Sequence, residues 1–445
     1  MHPEAPSEEL AKQIVSVLRH SGYLAWLAGG CVRDLLLGRP PKDYDVATSA
    51  RPEQVLHLFP AASLVGAHFG VVLVHNEARS QVEVATFRSD LDYLDGRHPS
   101  GVRFETDPRQ DVLRRDFTIN ALLLDPETSE VLDFVDGRAD LKARLIRAIG
   151  DPEQRFREDH LRLLRAVRFA ARLEFDIEPH TFAAIERQKA SIHRVSPERV
   201  RDELSRILTE GGARRGFELL DASGLLAEVL PEIAAMKGVA QPPAFHPEGD
   251  VWTHTLIMLD GLQNPSVALA WGVLLHDVGK PSTFRVADRI RFDGHVEQGI
   301  EIAHSLLNRL RFPHHAIDEV EALIANHMKF KDVPRMKEST IKRFIRMPDF
   351  EEHMALHRLD CLSSHGSLDN YDFVRNKQRE VPPEALKPAP LLTGKDLIAA
   401  GYRPGPLFGI VLSEIEDAQL EGRIQTVEEA LSMARESLQR RSVID

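Results

Sequence analysis

A chain of 445 residues, 43% of them apolar and 28% charged, can bury more than one core, and at roughly 150 residues per domain it predicts about three domains. Lys and Arg number 56 against 68 Asp and Glu, a formal charge of −12 that argues against a wholly basic nucleic-acid coat protein and leaves a local basic groove open. Cys31 and Cys361 are too few for a disulfide framework or a four-cysteine zinc site, and neither an apolar leader nor a run of roughly 20 apolar residues occurs, so the expectation is a cytoplasmic protein with no membrane partner.

From Tyr23 to Phe134, helical patterns alternate with short β-like runs (LAWLAG, KDYDVAT, GVVLVH, QVEVATF, EVLDFVD), an α/β or α+β pattern; the class expected for the chain is α+β, with a small mixed sheet in the head. Within it, Gly29 and Gly30 precede a helix-like run containing Arg33, leaving backbone N–H groups free to approach an anion; alone, the pair reads equally well as a tight turn. Lys42-Asp43-Tyr44-Asp45-Val46 follows. Read as a strand, residues i and i+2 point to one side, so Asp43 and Asp45 face one site. Like charges that close need cations, hard oxygen ligands suit Mg²⁺, and such a pair can serve phosphoryl transfer. Glu83, in Val82-Glu83-Val84, offers a third carboxylate. From Arg88 to Val102 the Gly, Pro and charge content predicts a mobile loop.

After Gly150 the apolar spacing becomes helical, with the start signals Asp151-Pro152-Glu153 and Ser196-Pro197-Glu198. Asp159 and Arg162, three residues apart, are predicted on neighbouring parts of one helix face. Cytosine and adenine each present an amine donor beside a ring-nitrogen acceptor, so an Asp that accepts and an Arg that donates would admit C and A and reject U and G. The plain alternative is an intrahelical ion pair worth about 0.3–0.5 kcal/mol. Arg165, Arg168 and Arg172 continue the series, as a basic stripe near phosphate or as an ordinary solvated face. Proline-rich breaks at 241–247 and 381–390 flank a segment that concentrates many of the 20 histidines. There His254, His276-Asp277, Gly294-His295, His327 and Asp360 are spaced to gather imidazoles and carboxylates around one or two divalent ions. The tail opens with the capping-box-like Thr393-Gly394-Lys395-Asp396.

GGCVRDLLLGRPPKDYDVAT, VEVATFR, Arg114-Arg115-Asp116-Phe-Thr-Ile-Asn120 and Glu158-Asp159-His-Leu-Arg162-Leu-Leu-Arg165-Ala-Val-Arg168 together resemble the bacterial class II tRNA nucleotidyltransferase and poly(A) polymerase family. The resemblance covers roughly residues 20 to 210. It implies transfer of a nucleoside monophosphate from CTP or ATP to the 3′-hydroxyl of tRNA or another RNA, with Asp43 and Asp45 binding Mg²⁺ and Glu83 in the third acidic position. It points to Gly29, Gly30 and Arg33 at the triphosphate, and to Arg115, Asp116 and Asn120 around the sugar and phosphates. It gives Asp159 and Arg162 the base-reading role, with Arg165 and Arg168 beside them. In CCA-adding relatives a flexible element between the head motifs helps the switch from CTP to ATP.

The histidine-rich stretch, with LLHDVGKP at its centre, resembles an HD-superfamily metal-dependent phosphohydrolase. That likeness implies His254, His276, Asp277 and Asp360 as ligands of Mn, Ni, Co, Fe or Mg, with His295 and His327 permitting a second ion and Lys280 meeting a phosphate. Many relatives carry an acidic residue directly after the histidine of the Gly-His pair, where this chain has Val296 and then Glu297. The expected organisation is a head (1–145) followed by all-helical parts: a neck (146–240), an HD domain (246–365) and a tail (385–445). The expected function is CCA addition to tRNA with phosphatase or 2′,3′-cyclic phosphodiesterase activity on RNA ends. The alternatives are a poly(A) polymerase or A-adding enzyme and, in another class, an HD phosphohydrolase whose head only binds RNA.

Overall fold

The computed structural model describes residues 6–65, 70–76, 80–91, 101–243 and 245–442. The chain divides into two compact units, one formed by Met1–Ala235 with Leu262–Ala270 and Ser305–Pro313, the other by Met236–Gly261, Trp271–His304 and His314–Asp445.

The first unit opens with helix Pro6–His20, whose Glu8 and Glu9 sit in the first turn and Arg19 and His20 in the last, matching the helix dipole. Its buried face, Leu10, Ala11, Ile14, Val15 and Leu18, recurs at spacings of three and four and joins one core with Leu27, Val46, Val72, Val74, Val82 and Val84 of the sheet. The strands are β1 (Ala25–Ala28), β2 (Asp45–Thr48), β3 (Ala62–Leu64), β4 (Val71–His75), β5 (Gln81–Thr86), β6 (Arg88–Asp90), β7 (Val102–Phe104), β8 (Leu123–Leu124) and β9 (Val131–Leu132). The main sheet runs β3-β4-β5-β2-β1-β8-β9. Its pairings are antiparallel except β2 with β5, which is parallel, so the sheet is mixed as expected. The period of two along β5 buries Val82 and Val84 and exposes Gln81 and Glu83.

One strand is shorter than the sequence suggests. KDYDVAT forms a strand only from Asp45, and Asp43 lies in the bend before it. Leu27 pairs with Val46, so Asp43 and Tyr44 would need partners beyond Ala28. At that point Gly29 (φ +77°) turns the neighbouring chain into helix Gly30–Leu36, and the ladder ends. Tyr44 is buried instead, and its hydroxyl donates to Glu8 at 3.0 Å.

Beyond the sheet the first unit is mainly helical, with Pro152–Glu158, Arg162–Leu173 and Pro197–Thr209 as the helices that matter for the site. A two-residue parallel ribbon, Leu145–Ile146 with Asp176–Ile177, interrupts that pattern. Among its described residues the second unit is helical apart from the hairpin Arg285–Val286/Ile290–Arg291 and an isolated bridge between Ala240 and Asp250. It holds an aromatic core around Phe330, Phe344 and Phe350, and the tail helices Gly394–Ala399, Leu407–Leu420 and Val427–Ser442 close a core of their own around Leu397, Val411 and Ile415. No helix among the described residues is long and apolar enough to cross a membrane.

Candidate active site and metal centre

In the first unit the parallel register of β2 on β5 sets Asp45 opposite Glu83. Burial pushes the Asp45 carboxyl up to about 6; Glu83 and Asp43 repel its charge and Arg115 offsets them only in part. A carboxylate pressed by two others is relieved by a cation, so Asp43, Asp45 and Glu83 fit a hard divalent ion such as Mg²⁺. The three do not form a group within 4.8 Å, so the sheet supplies their neighbourhood rather than a closed cage.

Behind them stands a packed wall. A side chain at Gly29 would meet Arg115 Nη1 at 3.1 Å and Asp45 Oδ2 at 3.7 Å, so the glycine lets the turn approach both groups. Arg115 donates to the Asn120 carbonyl oxygen at 3.3 Å and to Asp111 at 3.0 Å. Arg33, buried beneath Gly30, donates to Asn120 Oδ1 at 2.7 Å and to Asp34 at 2.8 Å. Asp116 accepts the Phe117 N–H at 2.8 Å and the Asn120 amide at 3.3 Å, and Arg165 grips its other oxygen at 2.9 and 2.5 Å. Gly29, Gly30, Arg33, Asp45, Arg115, Asp116, Asn120 and Arg165 therefore form one connected set. Burial alone would raise Asp116; Arg165 and then Arg162 outweigh it and hold the carboxyl at about 2, against an ordinary 3.8.

That depressed value gives a prediction with a definite sign. Asp116 contributes stability above about pH 4 and loses it as pH falls towards 2, where the folded-state group protonates. Asp116→Asn should flatten the pH dependence of the urea midpoint in that window. An unchanged slope would remove Asp116 from the groups that set acid stability.

The neck departs from expectation at two places. Asp159 does not share a helix face with Arg162: it ends helix Pro152–Glu158 in extended conformation (φ −143°, ψ 106°), and Arg162 opens the next helix. The Asp159 side chain accepts the Leu161 N–H at 3.1 Å, a local bond that competes with helix, while His160 and Leu161 turn inward. Nor do the two pair. Asp159 is held by Arg199 at 2.9 and 3.2 Å, and Arg162 by Glu158 at 2.7 Å and by the Arg155 and Arg114 carbonyl oxygens. Arg168 reaches the connected set through Glu203, which also lies 4.0 Å from Arg165. Arg168 is 4% exposed and is bound to Glu203 at 2.6 Å and Glu210 at 3.3 Å, so it belongs to neither a basic stripe nor a solvated face. Arg172 reaches Asp34 and Glu210. The predicted loop from Arg88 to Val102 lies largely at 92–100, outside the described residues; its flanks pair as β6 and β7.

In the second unit the histidines converge. His254, His276 and Asp360 form one group whose ligand atoms lie within 4.8 Å of one another, and Asp277, His295 and His327 form another. Asp277 stands between them: its Oδ2 is 3.1 Å from His276 Nε2, and its Oδ1 is 3.9 Å from the Nε2 atoms of both His295 and His327. The Nδ1 atoms of His276, His295 and His327 face backbone carbonyl oxygens at 2.9, 2.9 and 2.7 Å. Nδ1 must therefore carry the proton, and Nε2 presents its lone pair. The Nε2 atoms of His254, His276, His295 and His327 are buried without a hydrogen bond of good geometry, those of His254 and His276 facing the Asp360 and Asp277 carboxylates at 3.2 and 3.1 Å, an arrangement that a bound cation would complete. The donor set, imidazole nitrogen with carboxylate oxygen, fits a divalent transition metal or Mg²⁺. Burial, reinforced by His276, lowers His327 to about 4; for His254 burial is outweighed by Asp360 and Glu248, which raise it to about 9. Asp277 is held well below the carboxylate range because His276 and Lys280 outweigh its burial. Lys280, expected at a phosphate, lies 2.7 Å from Asp277 and donates to Gln241 at 2.6 Å. Asp277, His295, His327 and Asp360 open onto a cavity of about 1,130 Å³ whose rim carries Arg289, Arg291 and Lys331.

Sequence reasoning missed several contributors. Asp111, 1% exposed, grips both Arg114 and Arg115, and its i, i+3 and i+4 spacing to them was the available signal. Arg199 lies in the Ser196–Leu204 stretch that resembles the family's last neck motif and is expected to support the pocket, but nothing signals its partner, 40 residues away. His246, at the edge of the proline-rich break, and Glu248, just beyond it, form a third group with His254; neither is among the expected ligands.

Comparison with known proteins places this geometry. Residues 25–147 match the poly A polymerase head domain model, 174–237 the RNA and SrmB-binding site of polymerase A, and 250–364 the HD domain. The chain is 30% identical to the CCA-adding enzyme of Levilactobacillus brevis, over 96% of this chain and 97% of that one, and 32% identical to that of Enterococcus faecalis, over 95% and 94%. The crystal structure of the Bacillus stearothermophilus CCA-adding enzyme in complex with CTP superposes with a TM-score of 0.75 at 27% identity, covering 99% of this chain and 100% of that one. The Thermotoga maritima CCA-adding enzyme complexed with tRNA shares the fold, with a TM-score of 0.60 at 20% identity over 98% and 97%.

Proposed function

The chain belongs to the family of CCA-adding enzymes and is a nucleotidyltransferase; from that premise we propose that it builds or repairs the 3′-terminal CCA of tRNA from CTP and ATP in the cytoplasm. The observation that carries the reading is the connected set from Gly29 through Asp45 and Arg115 to Asn120 and Asp116, set against the Asp43–Asp45–Glu83 carboxylates. Asp43 and Asp45, with Glu83 opposite, would hold Mg²⁺, which when bound lowers the cost of charge on the attacking and leaving oxygens. Gly29 and Gly30 leave room for the triphosphate, and Arg115, anchored by Asp111, supplies fixed positive charge beside it. Asp159 and Arg162 read the base, with Arg199 holding the Asp159 carboxylate in place. The organisation proposed is a head at 1–145, a neck at 146–240, an HD domain at 246–365 and a tail at 385–445 that positions RNA.

Incubating the protein with tRNA lacking its 3′ end, and with CTP, ATP or both, tests the reading. Two CMP followed by one AMP is expected, and long A tails on generic RNA would overturn it in favour of a poly(A) polymerase.

For the HD domain we propose hydrolysis of a phosphomonoester or 2′,3′-cyclic phosphate at an RNA end. His254, His276, Asp277 and Asp360 would hold one divalent ion and His295 and His327 would allow a second; Mn, Ni, Co, Fe and Mg are the candidates. A bound ion there would activate water and polarise a phosphoryl oxygen. The inward-facing Nε2 atoms support this reading. Release of phosphate or ring opening should appear with Mn²⁺, Ni²⁺ or Co²⁺ and disappear in His276→Ala. No turnover with any of these ions would overturn it.

A further inference from the structure

We propose that Glu248 is the positioning residue for His254 and keeps the group His254, His276 and Asp360 at working metal affinity. The inference rests on reading that group as a metal site.

The four inward-facing histidines are not held in the same way. His276, His295 and His327 each set Nδ1 on the backbone carbonyl oxygen three residues earlier, those of Val273, Phe292 and Ile324, so each ring is oriented by its own turn of chain. His254 lies inside helix Val251–Asp260, where the corresponding carbonyl, that of Val251, accepts the Thr255 hydroxyl at 2.9 Å. Its Nδ1 reaches instead to Glu248 Oε1 at 2.7 Å. His254 is thus the one ring of the four whose Nδ1 is set by a carboxylate outside its helix rather than by a backbone carbonyl, while its Nε2 faces Asp360 at 3.2 Å. Glu248 is in turn fixed by His246, whose Nδ1 meets the same oxygen at 2.9 Å and whose ring stands edge-on to His254 with centroids 5.0 Å apart.

Three further facts separate this from an ordinary surface pair. His254 is fully buried, the Glu248 side chain is 7% exposed, and Glu248 Oε2 is buried without a hydrogen-bond partner. A carboxylate kept in that condition carries a solvation cost that three residues' mutual packing does not require. A carboxylate on the far nitrogen of a metal-ligating imidazole fixes Nε2 as the lone-pair nitrogen and makes it a stronger donor. Replacing such partners weakens metal binding by about 10–100-fold.

The test is a calorimetric titration of the full-length metal-free protein with Mn²⁺ alone, for the wild type, Glu248→Gln, Glu248→Ala and His276→Ala, with the metal-free melting temperature of each. Glu248→Ala should weaken the tightest Mn²⁺ site by about 10–100-fold with little change in the metal-free melting temperature. Glu248→Gln, which keeps an acceptor and loses the charge, should fall between it and the wild type. If both Glu248 variants bind Mn²⁺ as the wild type does, the positioning role is overturned. If Glu248→Ala does not fold, Glu248→Gln decides, and wild-type affinity there overturns the role. If the wild type and His276→Ala bind Mn²⁺ equally or not at all, the metal-site reading fails instead.

Discussion

Asp45→Asn should lower incorporation of both CMP and AMP by at least about 10³-fold, the scale of losing several kcal/mol of metal-borne charge stabilisation, while the protein melts at the same temperature or higher. The second half follows from the direction of the Asp45 shift. Its carboxyl is raised to about 6, so at neutral pH the folded state bears a charge that burial and Glu83 oppose. A group whose folded-state value lies above its unfolded one costs stability once pH exceeds both, and the neutral amide removes that cost. Activity and stability should therefore move in opposite directions, as expected where a site is strained for function. Parallel loss of activity and melting temperature would mean that Asp45 is a structural residue. The measurement is a primer-extension assay on tRNA lacking its 3′ end, paired with a thermal melt.

Arg168→Ala should destabilise the first unit by about 3–5 kcal/mol, because it takes from the buried Glu203 its partner at 2.6 Å and leaves only Arg165 at 4.0 Å. In a unit of this size that is roughly 10 °C in melting temperature. The double variant Arg168→Met/Glu203→Leu should recover most of the loss, since a packed apolar pair can replace a buried ion pair at little net cost. CMP incorporation by the double variant, assayed well below its melting point, should stay near wild type. If the double variant is stable yet fails to bind CTP or ATP, Arg168 touches nucleotide after all.

What was legible in the sequence was chemistry that tolerates few substitutes. The Gly29-Gly30 turn, the Asp43–Asp45 pair and the ordered histidines each needed particular residue types at particular spacings, and the mixed head sheet followed from the alternation in QVEVATF. What was not legible depended on distant partners. Arg168 has the spacing of an exposed helix arginine; only Glu203, 35 residues on, makes it a core residue. Asp159 looks like the middle of an acidic helix turn, and its role as a breaker shows only where its carboxylate caps Leu161 and meets Arg199. Asp43 was assigned to a strand because local pattern cannot report that β1 stops at Gly29.

The parallel pairing of β2 with β5 carries a consequence for how this enzyme can vary. Asp45 meets Glu83 through register, and register on β5 is set by which residues face the core, chiefly Val82 and Val84. A slip of one residue would turn Glu83 inward and a valine towards Asp45. The geometry proposed to hold the cation is therefore inherited through aliphatic side chains. Drift at those positions can silence the enzyme with every acidic residue intact.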